Sequence, residues 1–271
     1  MSAALTLDQI VALLEERYPQ ASAEPWDAVG LVCGEPSAPV RRILWAVDPV
    51  EAVVDQAIAS DVDLIVVHHP LLLTGVHSVA ATDAKGRVIH RLISSGIALY
   101  CAHTNADIAV PGVSDALAAA LGVIDTRLLD ASGLGRIGRL PAPMPLGDFA
   151  RTVATALPAT HHGARVLGDP DAIVGTVAVC GGSGDSLLSA ATLAGADVYV
   201  TADLKHHRAL EHREEGGCAV IDVAHWASEW PWLAQAAELL AVDVAAQGAT
   251  VDSLVSEIPT DPWTASVRSQ S

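Results

Sequence analysis

The sequence lacks several features that would assign it to a class at once. It has no uninterrupted apolar run near the roughly 18 residues of a membrane span, which argues against a membrane protein. The opening residues MSAALTLDQI contain neither the basic nor the apolar segment of a secretory signal, so we expect a cytoplasmic protein. Four scattered cysteines without a CxxC pair indicate neither a disulfide framework nor a cysteine zinc site.

Positive charge is also scarce. The 271 residues include 15 Lys and Arg against 32 Asp and Glu, which gives a formal net charge of -17. Without a basic cluster little would neutralise nucleic-acid phosphates, so binding to DNA or RNA is not expected. Apolar residues make up 51% of the chain, enough for one large domain or two of ordinary size. The chain also has 11 histidines, and because an acidic protein attracts metal cations, the positions of these histidines indicate whether they could bind a metal.

The hydrophobic pattern predicts two similar halves, each a βαβαβ unit. Apolar strands alternate with helix-period stretches, and the strands are expected at 41–48, 63–69, 97–107, 175–182, 197–203 and 218–225. These are continuous apolar runs, which are typical of parallel strands covered on both faces. The predicted fold class is α/β, with two related three-layer units and mostly parallel sheets.

Domain limits are predicted from composition. Residues 131–147 are rich in Gly and Pro and are expected to be the crossing point between domains. The first domain would then comprise 1–130, completed by the C-terminal segment 226–271. The second would comprise 131–225.

Two helix ends can be predicted from their residues. Thr6 and Gln9 form a capping box at the start of a first helix. The last helix is expected to run from Pro231 to about Ala246 with Ser228 as its N-cap, because proline fits only the first turn of a helix.

Histidines and carboxylates gather at the predicted strand ends. Ligands of open α/β sheets lie outside the carboxyl ends of the strands, and the residues found there are His68, His69, His103, Asp107, Asp203, His206, His207, His225 and Glu229. A single histidine at such a place is more often an ordinary polar residue. We interpret the remaining histidines in that way: His77, His90, His161, His162 and His212.

Five of the residues at the strand ends form the predicted ligand set: His68, His69, Asp107, His225 and Glu229. Burying several imidazoles and carboxylates together is costly unless they are paired or coordinate a metal. His68 and His69 precede a proline turn, where adjacent residues could serve two metals side by side. Mixed nitrogen and oxygen ligands suit Zn, Fe, Mn, Co or Ni, and ligand type alone does not choose among them.

Three weaker candidates keep two interpretations each. Asp203, His206 and His207 suit either a polar helix start or support around the metal site. Gly181–Gly184 could cradle an anion or form a tight strand-to-helix turn. Arg165 could meet a phosphate or be a solvated strand residue.

Six segments of the sequence resemble, in order, the signature blocks of a known family. They are WDAVGLVCG (26–34), VVHHPLL (66–72), AHTNAD (102–107), VCGGSGDSL (179–187), DVYVTADLKHH (197–207) and IDVAHWASE (221–229). Over nearly the whole chain they resemble the GTP cyclohydrolase I type 2-like family, also called the Nif-three-like dinuclear metal-centre family. Ala202 and Ala224 stand where many members have glycine, and neither change replaces a ligand.

The resemblance implies a pair of α/β domains with a two-metal site in the cleft, assembled as a homohexamer that is a trimer of dimers. It implies two divalent metal ions per chain. One would bind His69 and Asp107 and the other His68 and His225, with Glu229 bridging or shared.

The resemblance also implies a function. His103 and His207 match family positions close to the site, and we expect them to act catalytically in proton transfer. The family name implies a metal-dependent hydrolase that opens a purine nucleotide ring or a related cyclic amide. The alternative is a non-enzymatic metal-binding, metal-delivery or regulatory scaffold protein.

Overall fold

The computed structural model describes residues 4–267. Its strands are β1 (Leu5–Thr6), β2 (Gly30–Cys33), β3 (Pro39–Val40), β4 (Arg42–Ala46), β5 (Leu64–Val67), β6 (Ala98–Cys101), β7 (Ile124–Leu128), β8 (Arg136–Pro145), β9 (Arg165–Leu167), β10 (Ile173–Ser183), β11 (Val198–Ala202), β12 (Ala219–Val223) and β13 (Asp252–Val255). Its α-helices are α1 (Leu7–Arg17), α2 (Glu51–Ala59), α3 (Ala84–Ser94), α4 (Thr104–Ile108), α5 (Val113–Ala120), α6 (Leu146–Ala156), α7 (Leu188–Leu193), α8 (His206–Glu214) and α9 (His225–Ala246). Within residues 4–267, no helix combines the length and apolar character needed to cross a membrane.

The chain folds into two compact units. The first comprises the described residues up to Ala109 together with Leu233–Thr260, and the second contains Val110–Trp232 and the described residues from Asp261 onward. The second unit therefore begins at Val110 and not at 131, where the composition placed a domain limit. Tertiary pairing is the reason, because α5 packs against β10 and β7 pairs with β8.

The first unit is built on a five-stranded sheet with the order β13-β4-β5-β6-β2. Strands β4, β5 and β6 are parallel, as the first predicted βαβαβ pattern requires, and α2 and α3 connect them. All four residues of β5 are buried, which agrees with a continuous apolar strand covered on both faces. Strand β13 adds a parallel pairing to β4, and β2 pairs antiparallel with β6. The carboxyl ends of three consecutive strands therefore share one edge.

The second unit is built on a six-stranded sheet with the order β7-β8-β10-β11-β12-β9. Strands β10, β11 and β12 are parallel, which confirms the second predicted βαβαβ core. The flanking strands β7, β8 and β9 make antiparallel pairings that the hydrophobic pattern did not predict.

The stretch 131–147 lies within the second unit and does not cross between units, so that prediction was wrong. Most of it forms β8, whose first residues lie between β7 and β10. The pairing with β7 ends at Arg139, and Pro141, Pro143 and Pro145 lie beyond it. Proline lacks the N–H that a second neighbouring strand would use, so it is tolerated once that neighbour has ended.

The helix ends agree with the predictions in one case and differ in the other. The capping box of α1 is present, with Gln9 Oε1 accepting a hydrogen bond from the Thr6 backbone N–H at 2.9 Å. Helix α9 begins at His225, so the predicted start near Pro231 was wrong and Ser228 is not its N-cap. Pro231 removes a single backbone hydrogen bond, and the buried early turn that contains Trp226 outweighs this loss.

Candidate metal centre

Three imidazoles gather at the carboxyl edge of the first unit's sheet. His68 and His69 directly follow β5, and His103 lies two residues beyond β6. One ring nitrogen of each lies within 4.8 Å of the corresponding atoms of the other two, and the ring centroids are 5.1 to 5.6 Å apart. His68 is only 1% exposed. The strand-end positions predicted from the sequence therefore do bring these side chains together.

Hydrogen bonds set the protonation of His68 and His69. His68 Nδ1 donates to the Ala102 carbonyl oxygen at 2.9 Å, and His69 Nδ1 donates to Asp48 Oδ1 at 2.7 Å. A carbonyl oxygen and an ionised carboxylate can only accept, so each Nδ1 carries the proton. A neutral imidazole in that tautomer has its lone pair on Nε2, which is the atom that ligates metals.

Asp107 extends this group of side chains. It lies on α4, and its Oδ1 is 3.8 Å from His68 Nε2. This separation is too long for a hydrogen bond. Asp107 Oδ1 therefore lies beside the ligand nitrogen of His68, at a separation that is ordinary among the ligand atoms of a metal centre.

His103 is held by a buried carboxylate that the sequence analysis did not identify. Its Nδ1 donates to Asp27 Oδ1 at 2.9 Å, and the Thr104 backbone N–H donates to the same carboxylate at 3.0 Å. Burial raises the pKa of the Asp27 carboxyl, but hydrogen bonds from Thr104 and His103 outweigh burial and leave its pKa below the ordinary value. Burial and the neighbouring His68 imidazole lower the pKa of His103. These two effects favour the neutral form of the His103 imidazole.

The second unit contributes an imidazole and a carboxylate on one helix face. His225 is the first residue of α9 and Glu229 lies one turn later, with His225 Nε2 2.9 Å from Glu229 Oε1. The predicted helix start at Pro231 would have left both residues outside the helix. The spacing i, i+4 now places both side chains on the same side of α9.

Asp203 orients His225. It follows β11 in a left-handed conformation with φ of 58° and accepts a hydrogen bond from His225 Nδ1 at 2.7 Å. This hydrogen bond lowers the pKa of Asp203 more than burial raises it. The Nδ1 proton of His225 is directed to Asp203, so its Nε2 faces Glu229. This nitrogen either carries a proton, which makes the ring an imidazolium, or has a lone pair that can bind a metal beside the carboxylate. An imidazole nitrogen and a carboxylate oxygen together suit a divalent cation.

Gly182 leaves the space that these two ligand atoms occupy. Its φ is +67°, and a Cβ at this position would lie 2.4 Å from Glu229 Oε1 and 3.2 Å from His225 Nε2. The Gly182 N–H donates to Ser228 Oγ at 2.8 Å. Of the two interpretations of Gly181–Gly184, the structure thus favours a tight turn over an anion cradle.

Arg165 and Asp222 form an ion pair between β9 and β12, with Arg165 Nε donating at 2.8 Å. Asp222 also lies 3.0 Å from His162 Nε2 and accepts a hydrogen bond from the Leu204 N–H at 3.0 Å. Leu204 follows Asp203, so Asp222 helps to hold the turn that orients His225. The structure favours this role for Arg165 over phosphate binding.

His206 and His207 lie in the first turn of α8, and both are exposed. Their ring centroids are 5.2 Å apart. A role for His207 in proton transfer stays a prediction.

Replacing Gly182 with alanine is expected to weaken metal binding, because the added methyl group would collide with Glu229 Oε1. We expect Gly182→Ala to raise the Kd for Zn²⁺ at least about 10-fold, measured by isothermal titration calorimetry. Gly195→Ala is the matched control, since Gly195 has φ of +82° and open space around its Cβ position. Equal Zn²⁺ affinities for the two variants would contradict the assignment.

The carboxylates that hold the imidazoles can be tested separately. Asp48→Ala and Asp203→Ala each remove the acceptor of an Nδ1 proton, and we expect each to weaken metal binding about 10- to 100-fold. Competition with a chromophoric chelator measures the change. Asp125→Ala is the control, because Asp125 is exposed and pairs with Arg139. If Asp48→Ala and Asp203→Ala bind metal as tightly as this control, the two carboxylates have no orienting role.

Comparisons with known proteins identify the family. The sequence pattern of the Duf34/NIF3 (NGG1p interacting factor 3) family matches residues 5–262. A Streptomyces coelicolor protein named GTP cyclohydrolase 1 type 2 homolog is 49% identical over 271 residues, which cover 97% of this chain and 95% of the relative. A Clostridium perfringens protein of the same name is 30% identical, and the match covers 96% of this chain and 99% of that relative.

Solved structures agree with this result. A Bacillus cereus protein related to NIF3 superposes with a TM-score of 0.90 at 28% identity, covering 97% of this chain and 99% of that one. A Staphylococcus aureus hypothetical protein superposes with a TM-score of 0.89 at 29% identity, covering 96% and 99%. The resemblance in the signature blocks and the two-unit α/β fold are thereby confirmed. The chain belongs to the Duf34/NIF3 (NGG1p interacting factor 3) family.

Proposed function

We propose that this chain is a metal-dependent hydrolase that opens a purine nucleotide ring or a related cyclic amide. The observation that carries the proposal is the group of His68, His69 and His103, in which one ring nitrogen of each lies within 4.8 Å of the other two. The relatives' name, GTP cyclohydrolase 1 type 2 homolog, supports the substrate class.

The proposed cofactor is a pair of divalent cations. Their proposed ligands are His68, His69 and Asp107, which belong to the first unit, and His225 and Glu229, which belong to the second. Assigning His69 and Asp107 to one ion, and His68 and His225 to the other with Glu229 shared, rests on the family resemblance.

The protein's own residues have separable roles in this proposal. Bound cations would supply Lewis acidity, which lowers the pKa of water and polarises the bond under attack. Asp48 and Asp203 hold imidazoles in the tautomer that exposes Nε2. His103 lies beside the ligand imidazoles and is held by Asp27, so it is placed to accept a proton. His207 is the second proposed proton-transfer residue.

The activity can be tested with protein loaded with Mn²⁺, Fe²⁺ or Zn²⁺ and assayed against GTP, other nucleotides and cyclic amides. We expect turnover with at least one metal, and we expect Glu229→Ala to lower kcat/KM at least about 100-fold because it removes a ligand beside His225. Glu238→Ala is the matched control, since Glu238 is an exposed glutamate on the same helix.

The outcomes separate the two candidate functions. If metal binding depends on Glu229 but no substrate is turned over, the hydrolase proposal is refuted. The alternative, a metal-binding or metal-delivery protein, is then supported. Turnover that is unchanged in Glu229→Ala would refute the proposed site.

We also propose the homohexameric assembly, a trimer of dimers, that the resemblance implies. Multi-angle light scattering on eluting protein should give a mass near six times the 28.0 kDa of one chain. A monomeric mass at micromolar concentration would refute this assembly.

A further inference from the structure

An exposed tryptophan lies beside the histidines of the first unit. Trp26 is 58% exposed, whereas Trp45 and Trp232 are fully buried. An indole left in water gains little from the hydrophobic effect. Its ring centroid is 5.9 Å from that of His103, with an interplanar angle of 79°. The Trp26 side chain thus lies next to His103, a member of the histidine group, with most of its surface accessible.

The loop that carries Trp26 is anchored by hydrogen bonds on both sides of this residue. The Glu24 N–H donates to Thr104 Oγ1 at 2.9 Å, and the Asp27 N–H donates to the Glu24 carbonyl oxygen at 2.9 Å. The Asp27 side chain is fully buried and accepts hydrogen bonds from His103 and Thr104. The loop is therefore tied to the residues that follow β6, and the backbone that carries the indole is held in place near His103.

An exposed indole on an anchored loop is suited to one kind of ligand. Its flat apolar surface stacks well on another planar ring and offers little to an isolated ion or to a phosphate group. Because the loop is already ordered, binding costs little additional conformational entropy.

We propose that Trp26 is a substrate-binding residue that stacks on the planar heteroaromatic ring of a ligand held at the His68, His69 and His103 group. This inference rests on the proposed function, since that group is what would hold the reacting part of the ligand. It adds that Trp26 determines specificity for molecules with a planar ring.

The test compares two probes that share a triphosphate but differ in the ring. Isothermal titration calorimetry on the full chain loaded with Zn²⁺ measures the Kd of GTP and of inorganic tripolyphosphate. We expect GTP to bind more tightly, and we expect Trp26→Ala to raise its Kd about 10-fold or more. The Kd of tripolyphosphate should not change. Trp26→Phe, which keeps an aromatic face, should restore most of the affinity for GTP.

Trp263→Ala is the matched control, because Trp263 is 66% exposed. It should bind GTP as the unchanged chain does. An unchanged GTP affinity in Trp26→Ala, an equal loss for tripolyphosphate, or no GTP binding by the unchanged chain would overturn the proposal. Trp26→Ala could also form a smaller assembly than the unchanged chain while losing no affinity that depends on the ring. This result would overturn the proposal, because it would assign Trp26 to a subunit contact.

Turnover and bound metal measured on the same samples separate this inference from the hydrolase proposal. If binding depends on the ring and on Trp26 but there is no turnover, the stacking role of Trp26 is supported and the hydrolase proposal is refuted. Turnover together with GTP binding that does not depend on Trp26 would leave the hydrolase and refute the stacking residue.

Discussion

The hydrogen bond from an imidazole Nδ1 to an oxygen acceptor is the interaction on which the candidate site depends. Four histidines make it, and the pairs are His68 with the Ala102 carbonyl, His69 with Asp48, His103 with Asp27, and His225 with Asp203. Each bond orients one ring and places its proton on Nδ1. A ring that could rotate or exchange tautomers would not present Nε2 at a defined place. In the first unit the strand ends gather the rings of His68, His69 and His103, and in both units the acceptors determine which ring atom each histidine presents.

The same interaction explains part of the acidic composition. Three imidazoles that share one sheet edge would repel one another if they were protonated, and burial also disfavours their charged form. Asp27 and Asp48 supply negative charge beside these rings without occupying the Nε2 positions. The excess of carboxylates in the chain, 32 against 15 basic residues, therefore includes residues that orient imidazoles as well as candidate ligands.

The second unit reaches a comparable arrangement with different elements. Helix α9 begins at His225, so one helical turn supplies both the imidazole and Glu229. Ser228, on the same turn, donates to the His225 carbonyl and accepts from the Gly182 N–H, which ties the start of the helix to β10. Gly182 is required there because a Cβ would occupy the position of Glu229 Oε1. The ligand pair on α9 thus depends on a glycine that is distant in sequence, since Gly182 and Ser228 are 46 residues apart.

The sequence by itself determined the βαβαβ order of both units, because the period of apolar residues records which faces a strand or helix buries. It also placed His68, His69, His103 and Asp107 at strand ends, because the end of an apolar run is visible locally. Only the tertiary structure decided which residues hold those rings. Asp27 is 76 residues from His103, and nothing in the local pattern relates the two. Tertiary packing likewise decided that α9 continues through Pro231 and that the proline-rich stretch 131–147 forms β8, since long-range contacts outweigh the local preference of a proline.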